Sequence, residues 1–159
     1  MTAAYVGLGA NLGDPRRQLD TAIDELKRLP GTRVRRVSGI YKTSPQGYAD
    51  QPDFLNAVAR LDTELSAEML LDALREIENR HGRERPFPNA PRTLDLDLLL
   101  YGDHVVNSPG LVLPHPRMHE RAFVLKPLVE IAPQLEVPGH GMAAELLAGC
   151  PGQDVEKIA

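Results

Sequence analysis

Two aspartates, Asp95 and Asp97, stand in the apolar stretch PRTLDLDLLLY, which runs from Pro91 to Tyr101. The side chains of a strand alternate between its two faces, so both carboxylates are predicted on one face with their Cα atoms roughly 6.6 Å apart. At that separation the two side chains can hold one or two cations. Carboxylate oxygens suit Mg²⁺, which keeps several waters and takes further ligands from substrate phosphates. The pair therefore has the chemistry of a magnesium site that a polyphosphate would complete.

The same spacing has a plainer interpretation, because alternating acids are common on the solvated face of a half-exposed strand. Spacing alone favours that interpretation. The opposite face of this strand is predicted to be a continuous apolar surface of leucines: Leu94, Leu96, Leu98 and Leu100. The flanking sequence favours the metal site, because it supplies groups suited to phosphate oxygens on both sides. These groups are Arg83, Arg85 and Arg92 upstream, and His115, Arg117 and Arg121 downstream.

The segment GRERPFPNAPR, residues 82–92, is rich in arginine and proline and leads directly into the aspartate strand. Exposed loops are often charged, so the composition alone decides nothing. The position of the segment favours a lid, because a loop between a helix and the aspartate strand can fold over a bound triphosphate. Its guanidinium groups would then meet developing negative charge.

Phe54 and Asn56 share one face of a predicted strand. A flat heterocycle could stack on such a ring while the amide recognises its edge. The default interpretation of a lone phenylalanine is a core residue. Gly7 and Gly9 of the first strand would leave the same sheet face without side chains, which gives a ligand room to approach the backbone.

The composition is that of a globular protein, with 159 residues, 42% hydrophobic, 25% charged and a formal net charge of −4. We expect one domain over residues 1–159 and a monomer. The acidic balance argues against a general nucleic-acid surface. Because Cys150 is the single cysteine and no run of about 18 apolar residues occurs, we expect a cytoplasmic protein that does not bind membranes.

Hydrophobic periodicity predicts strands at 4–10, 33–43, 54–65 and 93–101, and helices after the caps Asp14 and Ser66 and within 118–131. Residues 104–107 are predicted as the hairpin partner of the aspartate strand, and Pro127 is predicted to interrupt the last helix. The order of elements predicts an α+β sandwich of the ferredoxin-like kind. Its sheet would be mainly antiparallel, with the two main helices on one face and the ligand on the other.

The sequence also resembles the 6-hydroxymethyl-7,8-dihydropterin pyrophosphokinases of the folate pathway over essentially its whole length. The stretches that carry the resemblance are GLGANLGD at 7–14, IYKTSPQG at 40–47, QPDFLNA at 51–57, PRTLDLDLLLYG at 91–102, LPHPRMHERAFVLKPL at 113–128 and EIAP at 130–133. The aspartate segment is the most specific of them.

The resemblance implies a three-layered α+β enzyme, with helices on both sides of the layer stack, that transfers pyrophosphate from ATP to a reduced pterin and releases AMP. Asp95 and Asp97 would bind two Mg²⁺ ions, and Arg83 and Arg92 would stabilise charge during transfer. The residues implied for ATP are Glu78, Arg83, Arg85, Arg92, His115 and Arg121. Those implied for the pterin are Thr43, Ser44, Gln46, Phe54, Asn56 and Phe123.

Four positions depart from the family pattern. Asn89 stands where many members carry tryptophan, and Gly110, Val112 and Pro116 stand where some members carry arginine, threonine and tyrosine near the nucleotide. The contact of the lid and the affinity for ATP are expected to differ accordingly. Neither the acid pair nor the pterin residues are affected.

Two other classes of protein share part of this pattern. A non-catalytic module of ferredoxin-like fold could bind a small ligand on an open sheet face, but it would not need paired acids among arginines. A metal-dependent glycosyltransferase also uses acids two residues apart, although the chain is short for a nucleotide-sugar fold. Release of AMP from ATP discriminates the three classes.

Overall fold

The computed structural model of the chain describes residues 1–43, 53–82 and 94–159. Its elements, in chain order, are β1 (Thr2–Ala10), α1 (Pro15–Lys27), β2 (Thr32–Val37), β3 (Tyr41–Thr43), β4 (Phe54–Thr63), α2 (Ala67–His81), β5 (Asp95–Tyr101), β6 (Val106–Ser108), β7 (Leu111–Leu113), a 3₁₀ turn (Met118–Glu120), α3 (Ala122–Ile131), β8 (Glu136–Val137), β9 (Gly141–Met142), α4 (Ala143–Ala148) and β10 (Val155–Lys157). No helix in this part of the chain has the length and apolar content that a membrane crossing requires.

The main sheet has the strand order β10-β3-β4-β1-β5, and β2 also pairs with β4. Each of these pairs is antiparallel. β4 is long enough to serve two partners, because β3 pairs with its beginning, at Phe54, and β2 with its end, at Thr63. The α+β class and the antiparallel sheet are therefore confirmed.

The first two helices begin where the sequence predicts. The Asp14 side chain accepts a hydrogen bond from the Arg17 N–H at 3.2 Å, ahead of Pro15 at the first helical position. The Ser66 hydroxyl accepts one from the Met69 N–H at 3.1 Å. Such caps satisfy backbone donors that a helix start leaves without a partner.

Two apolar clusters lie on opposite faces of the sheet, since neighbouring residues of β1 contribute to different clusters. Ala4, Val6 and Leu8 belong to the cluster that contains the buried stripes of α1 and α2. Tyr5 belongs to the cluster that contains α3 and the start of α4. Each fully buried leucine stabilises the fold by roughly 1.5–3 kcal/mol. The first two helices therefore share a face, as predicted, and the later helices cover part of the other.

The leucine face predicted for β5 is wrong at Leu100. Tyr5 of β1 pairs with Leu100 and Val6 pairs with Leu98, so Leu99 is an extra residue in the ladder. A bulge of this kind reverses the alternation of the side chains that follow it. Leu100 consequently joins Leu99 in the second cluster, whereas Tyr101 joins the first. The acids precede the bulge and keep the predicted alternation.

The hairpin predicted at 104–107 is also wrong, because β6 pairs with β7 rather than with β5. The outer edge of β5 already has other partners. The Leu99 carbonyl accepts a hydrogen bond from the His115 N–H at 2.9 Å, and the Leu96 N–H donates to the Glu78 carboxylate at 2.8 Å. These contacts occupy the hydrogen-bonding groups that a hairpin strand would need.

Two smaller predictions also need correction. The strand predicted over 33–43 is divided into β2 and β3. Between them, the Ser38 hydroxyl accepts a hydrogen bond from the Val58 N–H, and the Ser38 N–H donates to the Val58 carbonyl. α3 is not interrupted at Pro127 but continues through it to Ile131. The buried neighbours of Pro127 outweigh the one hydrogen bond that its missing N–H removes.

Candidate active site

A cavity of about 590 Å³ opens on the sheet face opposite α1 and α2. Its wall contains seven of the predicted site residues: Thr43, Phe54, Asn56, Asp95, Asp97, Arg121 and Phe123. The predicted acid pair and the predicted aromatic residues therefore lie in one cavity. Five further predicted residues lie outside the described part of the chain: Ser44, Gln46, Arg83, Arg85 and Arg92. Asn89, which departs from the family pattern, also lies outside it.

The backbone register of three strands places the acids beside bare glycines. Gly7 pairs with Asp97 and Gly9 with Asp95, and Gly9 also pairs with Asn56 on its other side. A Cβ atom added at Gly9 would lie 3.1 Å from the Asn56 side-chain oxygen, which is tighter than ordinary contacts. The glycines predicted to clear the ligand face are therefore part of the floor of the cavity.

A residue of α2 contacts the backbone of β5 between the two acids, at the edge of the sheet. Asp95 is exposed, Asp97 is half-buried, and Leu96 between them is buried. The Leu96 N–H donates to the Glu78 carboxylate of α2 at 2.8 Å. A charged acceptor of this kind makes a stronger bond than a neutral one. Glu78, predicted for ATP, therefore contacts the backbone of the aspartate strand, and among the described residues it is not part of the cavity lining.

His115 lies beside the cavity rather than in its wall. Its Nδ1 accepts a hydrogen bond from the Arg117 N–H at 3.2 Å, which is the role of a ring nitrogen without a proton. Burial lowers the pKa of His115 below its ordinary 6.5; the charge of Asp97 opposes this shift, and those of Arg121 and Arg117 add to it. The imidazole is therefore within electrostatic reach of one acid and two cations.

The other end of the cavity has a polar pair and two aromatic rings. The Asn56 Nδ2 donates to the Thr43 hydroxyl at 3.0 Å, and both side chains are buried. Phe54 and Phe123 lie in the same wall. The guanidinium carbon of Arg121 is 5.5 Å from the centre of the Phe123 ring, within the range of a cation–π contact. Arg121 thus lies next to the aromatic part of the wall.

Three polar residues of the wall were not predicted, namely Glu120, Gln153 and Asp154, and Arg117 was predicted only as a group suited to phosphate oxygens beside the acids. Arg117 and Glu120 flank the predicted Arg121, so their proximity was a usable signal. Gln153 and Asp154 enter the wall only because Val155 of β10 pairs with Thr43 of β3. That pairing joins residues far apart in sequence, so no local sequence pattern predicts it.

The donor set of the acid pair fits a hard divalent cation. Within residues 1–43, 53–82 and 94–159, no three or more His, Cys, Asp or Glu side chains gather as a metal cage. Mg²⁺ does not require such a cage, since it binds through one or two carboxylates and completes its shell with water and phosphate oxygens. Asp95 and Asp97 supply the two carboxylates on one face of β5.

The family match and similar known proteins agree on one family of proteins. Residues 5–133 match the family described as 7,8-dihydro-6-hydroxymethylpterin-pyrophosphokinase. The 2-amino-4-hydroxy-6-hydroxymethyldihydropteridine pyrophosphokinase of Pseudomonas aeruginosa is 49% identical over 154 residues, which cover 97% of this chain and 95% of that protein. The folic acid synthesis protein fol1 of Schizosaccharomyces pombe is 41% identical over 153 residues, which cover 96% of this chain and 21% of that protein.

Among solved structures, the chain is similar in fold to wild-type Plasmodium falciparum HPPK-DHPS with SDX-DHP, with a TM-score of 0.71 at 14% identity. The similarity covers 94% of this chain and 43% of that one. The chain therefore spans less than half the length of the Plasmodium and Schizosaccharomyces proteins. It nevertheless spans almost the whole length of the Pseudomonas enzyme, so the chain belongs to the 7,8-dihydro-6-hydroxymethylpterin-pyrophosphokinase family, a family of ATP-dependent diphosphotransferases.

Proposed function

We propose that this chain transfers pyrophosphate from ATP to 6-hydroxymethyl-7,8-dihydropterin, giving AMP and the pterin diphosphate used in folate synthesis. The observation that carries the proposal is that the acids Asp95 and Asp97 line the same cavity as Phe54, Asn56 and Phe123. A phosphate-directed site and a site for a flat heterocycle must lie this close if a phosphoryl group is to pass between them. Family membership supports the same reaction.

Asp95 and Asp97 would hold two Mg²⁺ ions, which when bound would neutralise the charge of the nucleotide phosphates. The bare backbone at Gly7 and Gly9 leaves room beside the carboxylates for the phosphates to approach. The contact between Glu78 and the Leu96 N–H fixes the strand from which both acids project. The protein's part in such a transfer is mainly to position groups and to balance charge.

On the nucleotide side, we propose that charge is balanced by cationic and polar residues around the acid pair. Arg121 is in the cavity wall, and His115 lies close enough to Asp97 for their charges to interact. Arg83 and Arg92 would stabilise the charge that develops during transfer. The full set proposed for ATP is Glu78, Arg83, Arg85, Arg92, His115 and Arg121.

On the pterin side, Phe54 and Phe123 would contact the faces of the ring, and Asn56 would hydrogen-bond its edge. The bond from Asn56 to Thr43 supports this role, because it fixes the orientation of the amide before a ligand arrives. Ser44 and Gln46 follow Thr43 in sequence and would complete the pterin site. A preset amide loses little conformational freedom on binding.

We also propose that residues 1–159 form one domain, a variant of the ferredoxin-like three-layered sandwich. The two apolar clusters on opposite faces of the sheet support this description. The chain would act as a monomer on ATP and the reduced pterin, without nucleic acid or membrane as a partner.

Incubation of the purified chain with ATP, Mg²⁺ and 6-hydroxymethyl-7,8-dihydropterin tests the proposed reaction. Mass spectrometry should find AMP and the pterin diphosphate in equal amounts, and omission of either substrate should abolish both products. Formation of ADP in place of AMP would contradict the proposal. Binding of the pterin without any AMP would instead favour the non-catalytic ligand-binding module.

A further inference from the structure

Gln153 forms two hydrogen bonds that bracket a single residue of the cavity wall. Its Oε1 accepts from the Ala122 N–H at 2.9 Å, and its Nε2 donates to the Glu120 carbonyl at 2.9 Å. The orientation of the amide is fixed by these partners, since an N–H can only donate and a carbonyl can only accept. The side chain thus pairs with both peptide groups of Arg121, much as a neighbouring strand would.

The bracketed residue is the point where the chain enters α3. Arg121 has an extended backbone, with φ −115° and ψ 106°, and its own side chain does not cap the helix. Ala122 is the first helical residue, and its N–H has no partner within the helix. Gln153 supplies that partner from the C-terminal segment. It therefore fixes the backbone of the residue whose guanidinium lies 5.5 Å from the Phe123 ring centre.

The segment that carries Gln153 also contacts β3 and α3. Val155, two residues later, pairs with Thr43, and its carbonyl accepts a hydrogen bond from the Lys126 ammonium at 2.7 Å. Gln153 lies in the cavity wall, yet it is beyond residues 5–133, which match the family. The C-terminal segment therefore connects Thr43 with the backbone around Arg121. Its own residues lie outside the range that matches the family.

We infer that Gln153 is a positioning residue, which sets the direction of the Arg121 guanidinium in the cavity by holding the Arg121 backbone extended. This inference rests on the proposed function, in which Arg121 meets the nucleotide charge. Because Gln153 acts through Arg121, its removal should matter only while Arg121 is present.

A double-mutant cycle tests this coupling. Gln153→Met keeps the approximate length of the side chain and removes both hydrogen bonds, and it should lower kcat/KM for AMP formation about tenfold. In an Arg121→Ala background, the same change should alter kcat/KM by less than about twofold. Lys126→Met is the matched control, because it removes only an exposed hydrogen bond between α3 and the C-terminal segment, while the pairing of β10 with β3 still holds that segment, and it should leave kcat/KM within about twofold.

A spectroscopic readout makes the test independent of catalysis. In ¹H–¹⁵N spectra, Gln153→Met should shift the amide signal of Ala122, whereas Lys126→Met should leave that signal in place. Three results would overturn the inference: full activity of Gln153→Met, an equal loss with and without Arg121, or an unmoved Ala122 signal. If the unmodified chain forms no AMP, the proposed function fails, and the Ala122 signal still decides whether Gln153 holds this backbone.

Discussion

Asn56 and Thr43 are two buried polar side chains at the edge of the cavity proposed for the pterin. The Asn56 Nδ2 donates to the Thr43 hydroxyl oxygen, and the Asn56 oxygen lies directly over Gly9. The hydroxyl keeps its own hydrogen to donate elsewhere. A ligand edge would therefore meet groups whose orientation is already set, which limits the entropy lost on binding.

Replacing Asn56 by alanine should weaken pterin binding selectively. The change removes the proposed contact with the ring edge and leaves the Thr43 oxygen without its donor, a loss of about 1–3 kcal/mol. We expect the Kd for the pterin to rise about tenfold or more and the Kd for a non-hydrolysable ATP analogue to change less than about twofold. Titration calorimetry of each ligand measures both values.

Thr63→Val is the matched control for this change. The Thr63 hydroxyl lies at the other end of β4 and forms a part-buried bond with Thr32 at 2.7 Å. Its loss should lower the melting temperature without weakening the pterin complex. Equal affinity of the Asn56→Ala variant and the unmodified chain for the pterin would show that Asn56 does not recognise the ligand.

One carboxylate of α2 binds the backbone of β5, beside the apolar packing between the two elements. Glu78 accepts the Leu96 N–H between the two acids, on the edge of the sheet where a further strand is absent from the described residues. The helix thereby closes the strand edge and fixes the backbone of the acid pair. An edge contact of this kind also blocks pairing with another chain.

Two substitutions separate this positioning role from direct recognition of ATP. Glu78→Ala removes the acceptor and should lower both turnover and the free energy of unfolding, the latter by about 1–3 kcal/mol. Glu78→Gln keeps a carbonyl oxygen for the Leu96 N–H and should retain most of both. Steady-state kinetics and urea denaturation measure the two effects. A glutamine variant as impaired in turnover as the alanine variant would assign the effect to the charge of Glu78 instead.

The local patterns of the sequence predicted the faces of β1, β4 and the first half of β5, because alternation is set by strand geometry alone. They failed at Leu100, since the bulge at Leu99 depends on how β5 meets β1. They also failed for Gln153, whose place depends on the pairing of β10 with β3. The acids and aromatic residues of the cavity wall were thus predictable, whereas its C-terminal part required the tertiary fold.

Glu130 connects three parts of the fold, namely α3, the segment 39–41 and β10. Its carboxylate on α3 accepts from the Tyr41 hydroxyl at 2.5 Å and from the Gly39 N–H at 3.0 Å, and it lies 3.4 Å from the Lys157 ammonium. Burial would raise the pKa of Glu130, but the bonds from Tyr41 and Gly39 and the charge of Lys157 outweigh it, and the pKa is lowered. Burial and the Glu130 carboxylate in turn raise the pKa of Tyr41.

The lowered pKa of Glu130 predicts a pH dependence of stability. A carboxyl whose folded pKa lies below its unfolded value stabilises the fold at higher pH, and this contribution is lost as pH falls through the folded pKa. The free energy of unfolding should therefore decrease as the pH falls below the ordinary Glu value of 4.5. Glu130→Gln should be less stable than the unmodified chain at neutral pH, and the difference should shrink in acid.

Urea denaturation at a series of pH values measures this difference. Glu136→Gln, at an exposed glutamate of β8, is the control and should follow the unmodified chain at every pH. A difference between Glu130→Gln and the unmodified chain that stays constant into acid would contradict the assigned role of the Glu130 carboxylate.

The central claim is that Asp95 and Asp97 bind the divalent ions on which pyrophosphate transfer depends, and a magnesium titration of AMP formation tests it most directly. The unmodified chain and Asp103→Asn, which alters an exposed aspartate just after β5, should show the same magnesium-dependent turnover. Asp97→Asn should lower kcat at saturating Mg²⁺ by about 100-fold or more. A kcat for Asp97→Asn within about tenfold of the unmodified chain, roughly 1.4 kcal/mol, would contradict the account.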